Sequence, residues 1–304
     1  MTNGRVHVDQ NIRDSQTSNE NNDIQGLDQD FEQGLENMLI LDRTNDFTEQ
    51  DVLYSFALDE LLCKQTGKGG PPICHLWRHP RAFSMGLRDS RLPLAAQAQQ
   101  WLEAQGYSTA IRNSGGAAVP LDLGVVNVSL ILPKTGQEDV HFHSDFERMY
   151  RLIQLALHAS GGKVDKGEIE GAYCPGDYDL SVGGRKFCGI AQRRQAHAYI
   201  VQGFIVAAGS GRERAQLVRE FYERAAKGAE NAKYPVVVEN STASLEELIE
   251  LGPDAAHVFA EGIKRVVRER QNPAVLEQAA ERFHLPEAGQ VREMAEVLRR
   301  RYAI

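Results

Sequence analysis

Cysteine is scarce here: four residues in 304, Cys63, Cys74, Cys174 and Cys188, with no metal-ligand spacing among them. That excludes a disulfide scaffold and a cysteine-rich zinc site, so no metal is expected and reduced thiols are. No run of about 18 apolar residues occurs, so no membrane-spanning helix is expected. The first residues lack the basic-then-apolar pattern of a secretion signal, which makes the cytoplasm the expected location. A concentrated basic face is missing as well, and with it the footprint of a nucleic-acid binder. Neither a Gly-Lys-Ser/Thr phosphate loop nor a GxGxxG dinucleotide turn is present, so no cofactor is indicated.

Positive charge is thin at one end only. Residues 1–50 hold three basic and eleven acidic residues, a balance of −8 that equals the net charge of the whole chain. Residues 51–304 hold 31 of each sign. Residues 1–35 are rich in Asn, Gln, Asp and Ser, a composition that buries too little apolar surface to offset the cost of ordering. The expectation is an acidic, disordered head over 1–45 and a single catalytic domain over 46–304. Leu39-Ile40-Leu41 reads as an edge strand where order begins.

Periodicity places the other elements. Thr48 and Asp51 have capping-box spacing ahead of an apolar stripe at Val52, Leu53, Phe56, Ala57 and Leu61, which Gly67 can stop. Strands are read at 73–77, 82–86, 110–112, 125–132 and 198–208. Helices are read at 94–106 and 146–160, then at 213–226, 245–250, 254–270, 275–283 and 288–302. Strands first and helices last give an α/β (α+β) fold: a mixed sheet flanked by helices, with a helical C-terminal part.

Two stretches carry chemistry. In Gly171-Ala172-Tyr173-Cys174-Pro175-Gly176 a cysteine sits in a Pro-Gly loop. A hairpin follows, turning at Gly183-Gly184. A two-residue turn pairs Ser181 with Lys186 and Asp179 with Cys188, and puts all four on one face. A polar surface hairpin gives the same pattern. The second stretch, the glycine turn of residues 112–127, opens with Arg112-Asn113-Ser114-Gly115-Gly116, which lets the backbone approach a ligand closely; a plain tight turn does so too.

Together these stretches resemble a known superfamily. Their order is Ser-Gly-Gly-x-Ala-Val-x-x-Asp-x-Gly-x-x-Asn, then Tyr-Cys-Pro-Gly-x-Tyr-Asp-Leu, then Gly-Arg-Lys-Phe-x-Gly-Ile-x-Gln-Arg-Arg. The superfamily is that of lipoate-protein ligases, octanoyltransferases and biotin ligases. Within it the chain is most similar to the octanoyl amidotransferases. The likeness spans roughly residues 50–210 and includes Ser55-Phe56-Ala57-Leu58-Asp59-Glu60. ATP-dependent lipoate ligases typically have Gly where this chain has Ala117, and His where it has Leu121. They also have Gly-Ser-Ala where it reads Gly189-Ile190-Ala191. Octanoyltransferases acting on acyl carrier protein usually have Arg at position 117. Both remain competing readings, as does a carrier-binding protein without catalysis.

The resemblance implies a function. An octanoyl group moves from the lysine of the glycine cleavage H protein, through a cysteine thioester, to apo lipoyl domains of 2-oxoacid dehydrogenase E2 subunits. It makes Cys174 the acyl acceptor and Lys186 its partner, with substrate bound at Arg112, Ser114, Gly115, Gly116, Asp122 and Asn127. The chemistry agrees: a thiolate is the best relay near neutral pH, and a nearby cation favours it. The same ammonium can donate to an oxyanion. Cys188 is the rival nucleophile, disfavoured if Asp179 lies across from it, because a carboxylate raises a thiol pKa. His79, His141, His143 and His197 are candidate bases for the acceptor lysine. An octanoyl chain needs an apolar tunnel, and Trp77, Met85, Val119, Val128 and Leu130 are candidate walls. Burying about six methylenes is worth up to about 5 kcal/mol.

Overall fold

The computed structural model describes residues 31, 34–134, 142–229, 232–252 and 254–303. Ten strands and eight α-helices form among them. In chain order they are β1 (Leu39–Arg43), α1 (Leu53–Thr66), β2 (Ile73–Trp77), β3 (Arg81–Met85), α2 (Ala95–Ala104), β4 (Ser108–Ile111), β5 (Val119–Asp122), β6 (Val125–Pro133) and α3 (Phe142–Leu157). Then come β7 (Asp165–Lys166), β8 (Leu180–Val182), β9 (Arg185–Arg194), β10 (Ala198–Val206), α4 (Gly211–Ala225), α5 (Leu245–Leu248), α6 (Ala255–Arg268), α7 (Pro273–Glu281) and α8 (Ala288–Arg301).

Seven strands form a mixed sheet in the order β1-β2-β6-β10-β9-β8-β7, antiparallel except where β1 runs parallel to β2. A small second sheet, β4-β3-β5, stands beside it. Strand β6 shows why both faces of the main sheet are covered. Val126, Val128, Leu130 and Leu132 join the core under α3 and α6, while Val125 and Ile131 join the core under α1. Successive side chains alternate between faces, so one apolar run supplies two cores. Helix α1 is buried nearly all round, because the sheet packs on one side and α8 on the other. Arg292–Glu49 and Arg299–Asp51 ion pairs fasten α8 there. No helix among the described residues is long and apolar enough to cross a membrane.

Most elements fall within a few residues of their expected places. Four expectations change. The expected head lies outside the described residues up to 30, but its last part belongs to the fold: Phe31, Leu35 and Met38 are buried and 39–43 form β1. Their apolar side chains complete the core under α6. Thr48 does not cap α1; its hydroxyl donates to Asp46, and Asp51 accepts from the Leu53 N–H instead. Residues 119–122, read as part of the glycine turn, form strand β5 against β3. The hairpin turns at Gly183-Gly184, both at positive φ, and Ser181 pairs with Lys186 as the spacing predicts. Beyond that pair the register slips by one, and Leu180 rather than Asp179 stands opposite Cys188. The extra β9 residue is a bulge, which re-aims the strand. Cys188 therefore faces the core under α6, while Lys186 reaches the Cys174 loop on the other face.

Candidate active site

Cys174 occupies the loop between β7 and β8 in a left-handed conformation, φ +50°, the only described non-glycine residue at positive φ. Such a backbone persists only where its surroundings over-determine it. Lys186 does much of this. Its ammonium donates to the Tyr173 carbonyl at 2.9 Å, to the Cys174 carbonyl at 2.6 Å and to Asp179 Oδ1 at 2.8 Å. An ammonium has three N–H groups, and all three are engaged. Tyr173, fully buried, stacks on Phe204 with ring centroids 6.1 Å apart. From the far side Val238 N–H and Ser241 Oγ both donate to the Gly171 carbonyl.

The thiol faces the glycine turn. Ala117 N–H donates to Cys174 Sγ at 3.2 Å, and Arg112 Nη2 lies 3.3 Å from it. Arg112 also binds the turn itself, donating to the carbonyls of Gly115, Ala117 and Ser84. Gly116, at φ +94°, is required here, because a Cβ would lie 2.8 Å from the sulfur. The cation beside the sulfur is thus Arg112, expected from the sequence as a substrate-binding residue. Lys186 holds the loop that carries the thiol. Behind the turn, Tyr222 donates to Asp89 and accepts from the Ala118 N–H.

The remaining sequence candidates separate. Ser114 and Asn127 line a cavity that Cys174 also lines. Ser114 Oγ is buried there without a partner. Gly115 serves through its carbonyl, which accepts from Arg112. Asp122 is not on the cavity; both its oxygens accept from Arg214, 92 positions along the chain. Of the proposed tunnel walls, Trp77 and Val119 line the cavity. Val128 and Leu130 face the opposite core, and Met85 packs elsewhere in the core under α1. Burial pushes the Cys188 thiol far up. Both ring nitrogens of His79 are engaged, by the Gln50 carbonyl and the Arg81 N–H, and burial lowers its pKa. His143 meets the Tyr178 hydroxyl, His197 is exposed, and His141 lies outside the described residues. Among the described residues no group of three or more His, Cys, Asp or Glu is placed to hold a metal.

One cluster has no counterpart in the sequence reading. Asp59, on α1, pairs with His75 Nδ1 at 2.7 Å and accepts from Ser129 Oγ at 2.6 Å and Gln202 Nε2 at 2.8 Å. Its signal was present: three polar residues, His75, Ser129 and Gln202, each in the middle of an apolar strand.

Burial also pushes the Asp179 carboxyl up from 3.8 to about 6, against the pull of Lys186. The folded chain therefore holds that proton more tightly than the unfolded chain. The associated stability is complete below about pH 4 and is lost as the pH rises through about 6. In denaturant titrations, the stability of the wild type relative to Asp179→Asn is expected to decline across that window and then level off. A relative stability that climbs there would mean the carboxylate is favoured by the fold.

A model of the lipoyl protein ligase A/B catalytic domain matches residues 51–267. The chain belongs to this lipoyl ligase family. Octanoyl-[GcvH]:protein N-octanoyltransferase of Geobacillus kaustophilus is 43% identical over 201 residues, covering 66% of this chain and 71% of its own. The corresponding protein of Exiguobacterium sibiricum is 42% identical over 217 residues, 71% of this chain and 78% of its own. Among solved structures, a lipoate-protein ligase A bound with ATP superposes with a TM-score of 0.58 at 18% identity, covering 88% of this chain and 95% of its own. A bipartite lipoate protein ligase of Thermoplasma acidophilum gives 0.56 at 17%, covering 88% and 93%. These two share the lipoyl ligase fold, and at that identity the fold alone is what they establish. The family's mixed sheet with flanking helices is the α/β architecture expected from the order of elements.

Proposed function

We propose that this chain is an octanoyltransferase of protein lipoylation that works through a thioester on Cys174. The donor is the octanoylated lysine of the glycine cleavage H protein, and the acceptors are apo lipoyl domains of 2-oxoacid dehydrogenase E2 subunits. The relatives' names support octanoyl transfer with the H protein as donor. The observation that carries the relay is the placement of Cys174 Sγ: on a largely apolar cavity, 3.2 Å from a backbone N–H and 3.3 Å from a guanidinium.

The thiolate adds to the donor's amide carbonyl, and the C–N bond breaks as the amide nitrogen takes a proton from solvent and the donor lysine leaves as an amine. The acyl group is now a thioester. The acceptor ammonium gives one proton to solvent and adds as the amine; it gives up a second to solvent as the C–S bond breaks and the thiolate returns. One lysine amide replaces another, so no ATP is consumed. Arg112 and the turn N–H groups stabilise negative charge on sulfur and on the tetrahedral oxygen, the effect that dominates acyl transfer. Lys186 keeps the thiol aimed at them and adds a buried positive charge nearby. The cytoplasm, where apo lipoyl domains and reduced thiols coexist, is the proposed location.

The test is intact-mass spectrometry of the chain mixed with octanoylated H protein and no ATP. A hydroxylamine-labile octanoyl adduct is expected, followed by transfer to an added apo lipoyl domain. Product that forms only with ATP would make the chain a ligase. Adduct that forms only from octanoyl-acyl carrier protein would change the donor.

A further inference from the structure

The cavity beneath Cys174 is floored by cross-strand rows of side chains. The first row runs Trp77–Asn127–Phe204–Gly189 across β2, β6, β10 and β9. Cys174 sits at this end, since Tyr173 stacks on Phe204 and Lys186 Nζ lies 5.5 Å above the same ring. The second row runs His75–Ser129–Gln202–Ala191. The third, Ile73–Ile131–Ile200–Arg193, lies beyond the cavity, whose lining stops at Ser129, Gln202 and Ala191. Consecutive rows on one face are about 7 Å apart.

The second row is polar where an acyl pocket has no evident use for polarity. Asp59 and His75 are completely buried, and Ser129 and Gln202 line the cavity while donating to Asp59. Gln202 Oε1 is buried without a partner. An extended octanoyl chain is about 9 Å from carbonyl to methyl, given C–C bonds of about 1.5 Å. Anchored on Cys174 beside the first row, it ends at the second.

We infer that the Asp59–His75–Ser129–Gln202 cluster is the acyl-length stop, selecting eight-carbon chains by closing the cavity with a polar wall. This rests on the cavity holding the acyl group of the Cys174 thioester. A ten-carbon chain places two methylenes against an amide and a hydroxyl tied to a buried carboxylate. Those groups lose hydrogen bonds if displaced, and the chain gains no apolar contact if they stay. Small residues complete the shape on the β9 side: Ala191 lines the cavity, and Gly189 makes room for the Phe204 ring, which a Cβ there would meet at 2.5 Å.

The experiment offers the wild type an equimolar mixture of H protein chemically loaded with octanoyl or decanoyl groups and reads both adducts by intact mass. Gln202→Ala shortens the wall by about the length of two methylenes. It is expected to raise the decanoyl-to-octanoyl ratio about tenfold, the worth of two buried methylenes. Ser129→Ala removes a single atom, keeps two of the three Asp59 partners and is expected to move the ratio in the same direction by less. A thermal melt confirms that each variant is folded. Unchanged ratios in folded variants that still acquire octanoyl would overturn the length stop alone. A wild type that acquires no acyl group on Cys174 would overturn the relay and the stop together.

Discussion

Cys174→Ser is expected to show no octanoyl adduct and to transfer at least about a thousandfold more slowly, in line with loss of a nucleophile elsewhere. The substitution changes one atom, so its effect isolates chemistry from packing. A cysteine needs only help in becoming an anion, because its pKa is within two units of neutrality. The groups around Sγ give that help: both near neighbours, the Ala117 N–H and Arg112, are donors. A serine hydroxyl needs an acceptor to take its proton as it attacks. The hydrogen-bond partners of Sγ provide none. Cys188 cannot take over, since it is fully buried on the other face of the sheet with its thiol held protonated by burial. Intact mass and a gel-based lipoyl-domain transfer assay read the result. A serine variant that keeps several per cent of the wild-type rate would move the covalent relay away from residue 174.

Lys186→Met is expected to cost both stability and activity, through different partners. The methionine keeps the apolar stem but removes three hydrogen bonds. Asp179 is left as a buried carboxylate without its cation, and breaking one side of such a pair typically costs about 3–5 kcal/mol. The Tyr173 and Cys174 carbonyls lose their donor, so the loop is released from its left-handed backbone and Sγ from its place beside Arg112. A 1 Å displacement can cost about a hundredfold in rate, and the lost positive charge adds to it. The double variant Lys186→Met/Asp179→Leu separates the two effects. It is expected to regain most of the stability, as an apolar pair replaces a buried ion pair, while adduct formation stays low. A double variant that recovers transfer as well as stability would reduce Lys186 to a packing residue. Urea titration and the adduct rate, measured on the same samples, decide this.

Local patterns in the chain account for most of the architecture and part of the site. Long apolar runs at 125–132 and 198–208 mark the central strands, and Gly183-Gly184 marks the hairpin, because run length and turn chemistry are properties of neighbouring residues. The bulge in β9 was not legible: nothing in Lys186-Phe187-Cys188 says that one residue is extra, and the partner strand decides it. A single slip then exchanges faces, which removes Cys188 from the site and delivers Lys186 to it. Asp122 looked like a site residue for a similar reason. Its position beside the glycine turn is local, but the Arg214 that claims both its oxygens is on α4, far along the chain. Arg112 was legible as important and not as the cation at sulfur, since Cys174 is 62 positions away. The Asp59 cluster joins four elements, and each member alone looks like a satisfied polar residue in a core.

The packing of α8 on α1 also bears on the order in which the protein is made. Helix α1 carries Phe56, which lines the cavity, and Asp59, which holds Ser129 of its lining. Its outer side is covered by α8, and the ion pairs fastening α8 to the segment just before α1 join residues 243 and 248 positions apart. During synthesis, domains assemble as their segments emerge, and distant contacts come last. Cys174, Arg112 and the glycine turn are therefore all translated well before the helix that backs α1. The outer side of α1 stays exposed until α8 docks on it through Val291, Ala295 and Leu298, so the contact that backs the cavity's cover is the last to form.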